Sequence, residues 1–118
     1  MRYDFKTVEE KWQKRWEEAG AFRAANDTKK PKFYGLVEFP YPSGVGMHVG
    51  HIKAYSGLEV ICRKRRMQGY NVLFPIGFDA FGLPTENYAI KTGIHPREVT
   101  DRNIAKFTSQ LKRVGFSF

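Results

Sequence analysis

The chain has 118 residues, which is long enough for one small domain and too short for two ordinary ones. Lysine and arginine number 20 against 12 aspartate and glutamate residues, and the formal net charge of +8 favours a polyanionic partner such as a nucleotide or nucleic acid. The single cysteine, Cys62, excludes an internal disulfide, and no cysteine cluster offers a zinc site. Since the N-terminus lacks the apolar run of a signal peptide and no stretch approaches transmembrane length, we expect a cytoplasmic protein with no membrane partner.

A helix is predicted over residues 7–19, followed by a polar connector that ends at residue 32. Thr7 and Glu10 have the spacing of a helix-capping box. The apolar side chains that recur at helical spacing before Gly20 are Val8, Trp12, Trp16 and Ala19. The two tryptophans could stack on a base, but core packing on the inner face of the helix is the simpler interpretation.

A parallel βαβ unit is predicted over residues 33–76. It consists of a buried strand at 33–39, a loop at 40–47, a helix from 48 to about 68 and a second strand at 71–76. The apolar stripe of the helix comprises Ile52, Tyr55, Leu58 and Cys62, so Cys62 is expected to be a small core hydrophobe and not a nucleophile. The sequence therefore belongs to the α/β class.

The start of this helix is predicted to bind an anion. Its first turn has free backbone N–H groups and the positive end of the helix dipole. His48 and His51 are three residues apart and share a face, while Gly50 between them leaves room for a phosphate to approach the backbone. The alternative is that the two histidines are caps or solvated surface residues. The strand and the glycine-bearing loop in front of them favour the anion site.

A second loop follows the second strand and carries a single carboxylate. Asp79 lies between Gly77 and Gly82, at the carboxyl end of a parallel strand, where such sheets bind their ligands. Alone, Asp79 would be an ordinary loop aspartate. Its position beside the first loop favours a contact with a ligand.

Helices and a basic stretch complete the pattern. Residues 63–66, Arg-Lys-Arg-Arg, end the second helix, where they complement its dipole, although contact with an RNA backbone stays open. A short helix is predicted at 84–91 and a last one from 96 or 100 to 114. The last helix has an apolar face made of Ile104, Phe107, Leu111 and Val114.

Three segments in this order resemble the start of the bacterial-type leucyl-tRNA synthetases, members of the class I aminoacyl-tRNA synthetases. Residues 39–44, Phe-Pro-Tyr-Pro-Ser-Gly, are similar to the first active-site loop of that family. Residues 48–51, His-Val-Gly-His, match the class signature, and residues 77–84, Gly-Phe-Asp-Ala-Phe-Gly-Leu-Pro, match the next loop. The likeness covers essentially all 118 residues.

The resemblance implies ATP-dependent activation of leucine to leucyl-adenylate and transfer of the leucyl group to tRNA(Leu), with ATP as a substrate accompanied by Mg²⁺. His48 and His51 would be the catalytic residues, and Gly50 would join them in binding ATP. The resemblance also implies that Phe39, Pro40 and Tyr41 line the leucine pocket and that Asp79 binds the leucine ammonium group. No metal ligands are expected in this chain.

The resemblance also implies a partial Rossmann-like domain, the first half of a nucleotide-binding domain. Its parts would be the N-terminal helix and connector (1–32), the βαβ unit (33–76) and the second loop with the C-terminal helices (77–118). The chain lacks the family's second ATP-site motif, Lys-Met-Ser-Lys-Ser, and its editing and anticodon-binding domains, so we expect it to be inactive alone. Phe78 and Glu38 depart from the family's more usual Trp and Met.

Two other functions share features with this sequence. A small nucleotidyltransferase also places His-x-Gly-His after a first strand, but it needs a complete sheet and a C-terminal phosphate-binding motif that the sequence does not display. A catalytically silent RNA-binding module would use the basic helix end and show salt-dependent binding.

A two-stranded parallel sheet predicts self-association of the chain. Parallel sheets normally bury both faces and continue sideways, so an isolated pair leaves an edge bare. Phe33, Val37, Val72 and Phe74 are expected to be the apolar side chains left uncovered.

Overall fold

The structure, a computed structural model, describes residues 3–43 and 46–118; the predicted loop residues Gly44 and Val45 lie outside this part. The elements in chain order are α1 (Phe5–Glu18), β1 (Lys32–Tyr34), α2 (Val49–Met67), β2 (Asn71–Leu73), α3 (Leu83–Thr92) and α4 (Pro96–Val114). The predicted helices are therefore present within two residues of their expected bounds, and of the two starts expected for the last helix the one at 96 is correct and the one at 100 is wrong. Within the described ranges, no helix combines the length and the apolar character needed to cross a membrane.

The two strands pair in parallel, as predicted, but they are shorter than expected. Phe33 lies opposite Val72, and α2 connects the two strands. The pairing extends by one hydrogen bond, from the Gly35 N–H to the Leu73 carbonyl at 2.9 Å. The predicted ranges 33–39 and 71–76 are wrong beyond this point. Pro75 has no amide hydrogen to donate, and the segments that follow the two strands lead into the loops.

Cys62 lies at the centre of a hydrophobic core between α2 and the sheet. The cluster consists of Cys62, Val72 and Phe74, with Phe33, Val37, Leu58, Tyr70 and Phe118 packed against it. A Cβ at Gly35 would lie 2.8 Å from the Cys62 Sγ, so the missing side chain of Gly35 allows the end of β1 to approach α2. Burial raises the pKa of the Cys62 thiol, which suits a core residue and not a nucleophile.

The expected set of uncovered apolar residues is wrong. Val72 and Phe74 are buried, while Phe33 and Val37 are half-buried against the core cluster. Side chains alternate between the two faces of a strand, so the residues next to these four in the chain lie on the opposite face of the sheet, away from the core. The exposed apolar side chains of the sheet region are Tyr34, Leu36 and Leu73, with 59%, 57% and 49% of their surface accessible.

Helix α1 begins earlier than predicted and buries less. The Asp4 side chain caps it by accepting from the Thr7 N–H at 3.4 Å and the Thr7 hydroxyl at 2.6 Å, so the assignment of Thr7 as the cap is wrong. Trp16 is half-buried against Phe22, with 5.5 Å between their ring centroids. Trp12 is 44% exposed, so only one tryptophan packs inward as predicted.

A buried carboxylate fastens the C-terminal segment to α2. Glu59 accepts hydrogen bonds from the Ser117 N–H at 3.0 Å and the Ser117 hydroxyl at 2.9 Å, and it also pairs with Arg63. Arg66 donates to the Ser117 carbonyl at 2.9 Å. These bonds hold Phe118 against Phe74, with 4.5 Å between their ring centroids.

Candidate active site

His48 and His51 form a reciprocal cap at the start of α2. The His48 Nδ1 accepts from the Gly50 N–H at 3.1 Å, and the His51 Nδ1 accepts from the His48 N–H at 3.2 Å. The two rings stack with their centroids 3.9 Å apart. On spacing alone, capping and ligand contact are alternatives for the two histidines, but this geometry allows both, since each ring uses only one nitrogen for capping.

The caps determine which ring nitrogen carries the proton. A neutral imidazole has one donor and one acceptor nitrogen, and here both Nδ1 atoms accept. Each Nε2 therefore carries a hydrogen and remains a donor. Two adjacent N–H donors at a helix N-terminus are suited to phosphate oxygens.

The surroundings of His51 favour its neutral form. Its ring lies 6.0 Å from that of Tyr55 and 6.2 Å from that of Phe107. Burial and the neighbouring His48 lower the pKa of His51 from its ordinary 6.5, against a smaller opposing effect of Glu38. The neutral ring with its proton on Nε2 is therefore the form present at neutral pH.

Gly50 makes room for the His48 ring. A Cβ at Gly50 would lie 2.9 Å from the His48 imidazole, closer than side-chain carbons approach one another. The expectation was that this space admits a phosphate. In the structure the imidazole itself folds over the first turn of α2 here, so any residue larger than glycine would displace the cap.

The structure brings the two predicted loops together. The Asp79 N–H donates to the Pro40 carbonyl at 3.1 Å. A Cβ at Gly77 would lie 2.9 Å from the Phe39 ring, and one at Gly82 would lie 2.5 Å from the Tyr41 ring. The predicted leucine-pocket residues therefore pack on the glycines that flank Asp79. Its own carboxylate is exposed.

Phe107 of α4 connects this pair of loops to the histidines. Its ring lies 6.2 Å from that of His51 and 6.1 Å from that of Phe78, the neighbour of Asp79. One buried side chain thus contacts a residue of the predicted ATP site and the neighbour of the predicted leucine contact Asp79.

Tyr55 contacts the segment that follows β1. Its hydroxyl donates to the Glu38 carbonyl at 3.2 Å, and its buried ring contacts those of His51 and Phe118. Burial raises the pKa of the Tyr55 hydroxyl, so it remains a donor at neutral pH. Helical spacing predicts that Tyr55 is a core residue, which is confirmed, but it gives no signal for the hydrogen bond to Glu38.

The arginines at the end of α2 contact aromatic rings of the same chain. The Arg63 guanidinium lies 5.0 Å from the Trp16 ring centroid, and that of Arg65 lies 5.0 Å from the Tyr70 ring centroid. Arg66 lies 5.1 Å from the Phe22 ring centroid. These contacts cover one face of each guanidinium group, while the three arginines are only half-buried and Lys64 between them is exposed.

A cleft of about 650 Å³ lies apart from the candidate site. It opens between α1 and the C-terminal segment and is lined by residues that include Trp16, Phe22 and Phe116. None of the residues predicted to bind ATP or leucine lines it.

The sequence matches a known family over most of its length. The family described as tRNA synthetases class I (I, L, M and V) covers residues 11–117. The chain belongs to the class I tRNA synthetases. Its partial Rossmann-like architecture is that of the N-terminal region of this family, as the resemblance implied.

Several curated relatives of this class I chain are leucine–tRNA ligases. That of Alkaliphilus oremlandii is 61% identical over 117 residues, or 99% of this chain. That of Chlorobaculum tepidum is 52% identical over the whole chain. The chain spans 15% of the length of each of these relatives, corresponding to their N-terminal part.

A solved structure gives the same result. The crystal structure of the ternary complex of Agrobacterium radiobacter K84 LeuRS with tRNA and LeuAMS superposes with a TM-score of 0.94 at 38% identity. The match covers 99% of this class I chain and 15% of the other. The similarity to leucyl-tRNA synthetases is confirmed, and the two alternative functions gain no support.

Proposed function

We propose that this chain supplies the first half of the catalytic domain of a leucine–tRNA ligase, binding ATP at the start of α2 and leucine between the two joined loops. The observation that carries the proposal is the stacked histidine pair, whose two Nε2–H donors are available at a helix N-terminus. As the leucine carboxylate attacks the α-phosphorus and pyrophosphate leaves, these donors would stabilise charge developing on phosphate oxygens.

The proposed activity also implies Mg²⁺ and tRNA(Leu) as partners and the cytoplasm as the compartment. Mg²⁺ would enter on the phosphates of ATP, since this ion binds through substrate phosphates together with one or two carboxylates and water. The transfer of the leucyl group to tRNA(Leu) would need the rest of a full-length ligase. The reducing cytoplasm suits the single buried thiol of Cys62.

A hybrid ligase tests the proposal. In it, this chain replaces the matched 117-residue part of the Alkaliphilus oremlandii enzyme. The hybrid should catalyse leucine-dependent exchange of pyrophosphate into ATP, and the 118-residue chain alone should not. Absence of exchange in a folded hybrid, or a preference for isoleucine, valine or methionine over leucine, would contradict the proposed function.

Asp79 is proposed to bind the leucine ammonium group, because this exposed aspartate lies between Gly77 and Gly82, the two glycines on which the Phe39 and Tyr41 rings pack. In the hybrid ligase, Asp79→Asn keeps the shape and loses a charge-assisted hydrogen bond. We expect the KM for leucine to rise about 10- to 150-fold with little change in the KM for ATP. Glu86→Gln, which neutralises a nearby exposed carboxylate, is the matched control. A rise confined to the ATP KM would show that the loop has been misassigned.

The isolated chain is proposed to self-associate through the sheet region, where Tyr34, Leu36 and Leu73 are exposed beside unpaired strand edges. Sedimentation velocity at high micromolar concentration should show species larger than a monomer. Leu36→Lys combined with Leu73→Lys should restore the monomer. Met67→Lys, which changes a side chain 89% exposed on α2, should not. A monomeric parent chain would contradict this proposal.

A further inference from the structure

Two side-chain amides of α4 face the loop at residues 40–47. The Asn103 Nδ2 donates to the Pro42 carbonyl at 2.8 Å, and Asn103 is 5% exposed. The Gln110 Oε1 accepts from the Met47 N–H at 2.9 Å. Because the two amides are seven residues apart, about two helical turns, they lie on one face of α4.

These hydrogen bonds hold the loop at both ends. Pro42 directly follows Phe39, Pro40 and Tyr41, while Met47 directly precedes the His48 cap. The loop also lies very close to α4, since a Cβ at Gly46, where φ is +137°, would be 2.7 Å from the Gln110 amide. Such a close approach leaves the Gln110 side chain little freedom to move away.

Between the two amides, Phe107 contacts both halves of the candidate site. Its ring faces His51 at 6.2 Å and Phe78 at 6.1 Å. The face of α4 that carries Asn103, Phe107 and Gln110 therefore contacts Pro42 and Met47 of the first loop, His51 of α2 and Phe78 of the second loop.

We propose that Asn103 and Gln110 are positioning residues that fix the backbone of the first active-site loop, so that the His48 cap keeps its place at the ATP side. The expected effect of these two residues on catalysis rests on the proposed function. Their expected effect on the loop backbone rests on the geometry alone. Neither side chain is assigned a contact with a substrate. Gln110 acts through the Met47 N–H and Asn103 through the Pro42 carbonyl.

The kinetic test uses Gln110→Met in the hybrid ligase. Methionine fills similar space but removes the acceptor for the Met47 N–H, and we expect kcat/KM for ATP to fall about tenfold while the leucine KM stays unchanged. The matched control is Gln13→Met, since Gln13 donates to the Arg113 carbonyl at 3.2 Å and thereby also binds a backbone group of α4, but away from the loop. The control should keep the parent kinetics even if it loses stability.

A second measurement does not depend on activity. Hydrogen exchange of the Met47 amide in the hybrid should quicken about three- to tenfold in Gln110→Met. It should stay slow in Gln110→Glu, which retains the acceptor oxygen. Equal exchange rates in the parent and Gln110→Met would overturn the inference, as would unchanged kinetics for ATP in an active hybrid. If the parent hybrid lacks leucine-dependent activity, the proposed function fails, and amide exchange still decides the role of Gln110.

Discussion

His48→Ser and His51→Glu should each lower leucine-dependent pyrophosphate exchange by the hybrid ligase about 10²- to 10³-fold, the usual effect of removing one donor aimed at a transition state. The loss should fall mainly on kcat, with a smaller change in the KM for ATP. The reason is that the Nε2–H donors are expected to bind charge that develops as pyrophosphate leaves.

The substitutions are chosen to preserve the helix cap. Alanine would remove both the donor and the cap, and loss of a cap alone costs about 0.5–2 kcal/mol of stability. The serine hydroxyl can still accept from the Gly50 N–H, and glutamate three residues after the cap can still accept from the His48 N–H. Neither replacement places an N–H group where the imidazole Nε2–H lies, whereas an asparagine or glutamine amide would bring N–H donors of its own. Thermal unfolding near that of the parent, together with exchange rates within twofold of it, would show that the histidines serve only as caps.

The lowered pKa of His51 adds a pH dependence. In the unfolded chain His51 binds its proton near its ordinary pKa of 6.5, whereas the folded chain binds it only at lower pH. Below pH 6.5 the unfolded state therefore binds more protons than the folded state, and the free energy of unfolding falls. The stabilisation from the neutral His51 ring is fully present above pH 6.5 and is lost as the pH falls through the pKa of the folded chain. His51→Gln should make this part of the stability insensitive to pH.

Glu59→Leu should lower the free energy of unfolding of the chain by about 3 kcal/mol, the lower end for breaking a buried ion pair, because Arg63 keeps partial contact with water. The substitution also leaves the buried Ser117 N–H without its acceptor. For a chain of this size the melting temperature should fall by about 12 °C. Trp16 fluorescence would report the change, since the Arg63 guanidinium lies 5.0 Å from its ring centroid.

The control for Glu59 is an exposed pair with the same spacing. Arg97 and Asp101 on α4 are 3.2 Å apart, with 81% and 63% of their side-chain surfaces accessible. Asp101→Asn should cost less than about 1 kcal/mol. Equal losses from the two substitutions would contradict the claim that Glu59 anchors the C-terminal segment.

The sequence was sufficient where the signal is local. The spacing of His48 and His51, the glycines around Asp79 and the helical periodicity all depend on neighbours in the chain. In the structure His51 and Phe78, which precedes Asp79, both contact Phe107. The choice between Asp4 and Thr7 as the cap of α1 was harder, since both residue types cap helices. The reciprocal use of the two Nδ1 atoms depends on ring orientation, which spacing does not specify.

The sequence failed where distant residues decide. Glu59 has the character of a solvated helix residue, and its burial depends on Ser117, which is 58 positions away. Similarly, the amides of Asn103 and Gln110 interrupt the apolar face of α4, a signal that they have polar partners, but nothing in the sequence identifies Pro42 and Met47 as those partners. The strands were predicted too long because apolar character continues past the last inter-strand hydrogen bond.

The reciprocal histidine cap has a consequence for the entropy of nucleotide binding. A free imidazole would have to be ordered when ATP arrives, at a cost of about 0.5–1.5 kcal/mol for each immobilised side chain. Here the backbone N–H groups of His48 and Gly50 hold both rings by their Nδ1 atoms, and the rings stack on each other. Folding of the helix start thus orders these donors in advance, so more of the interaction with the phosphates remains available to favour the reaction.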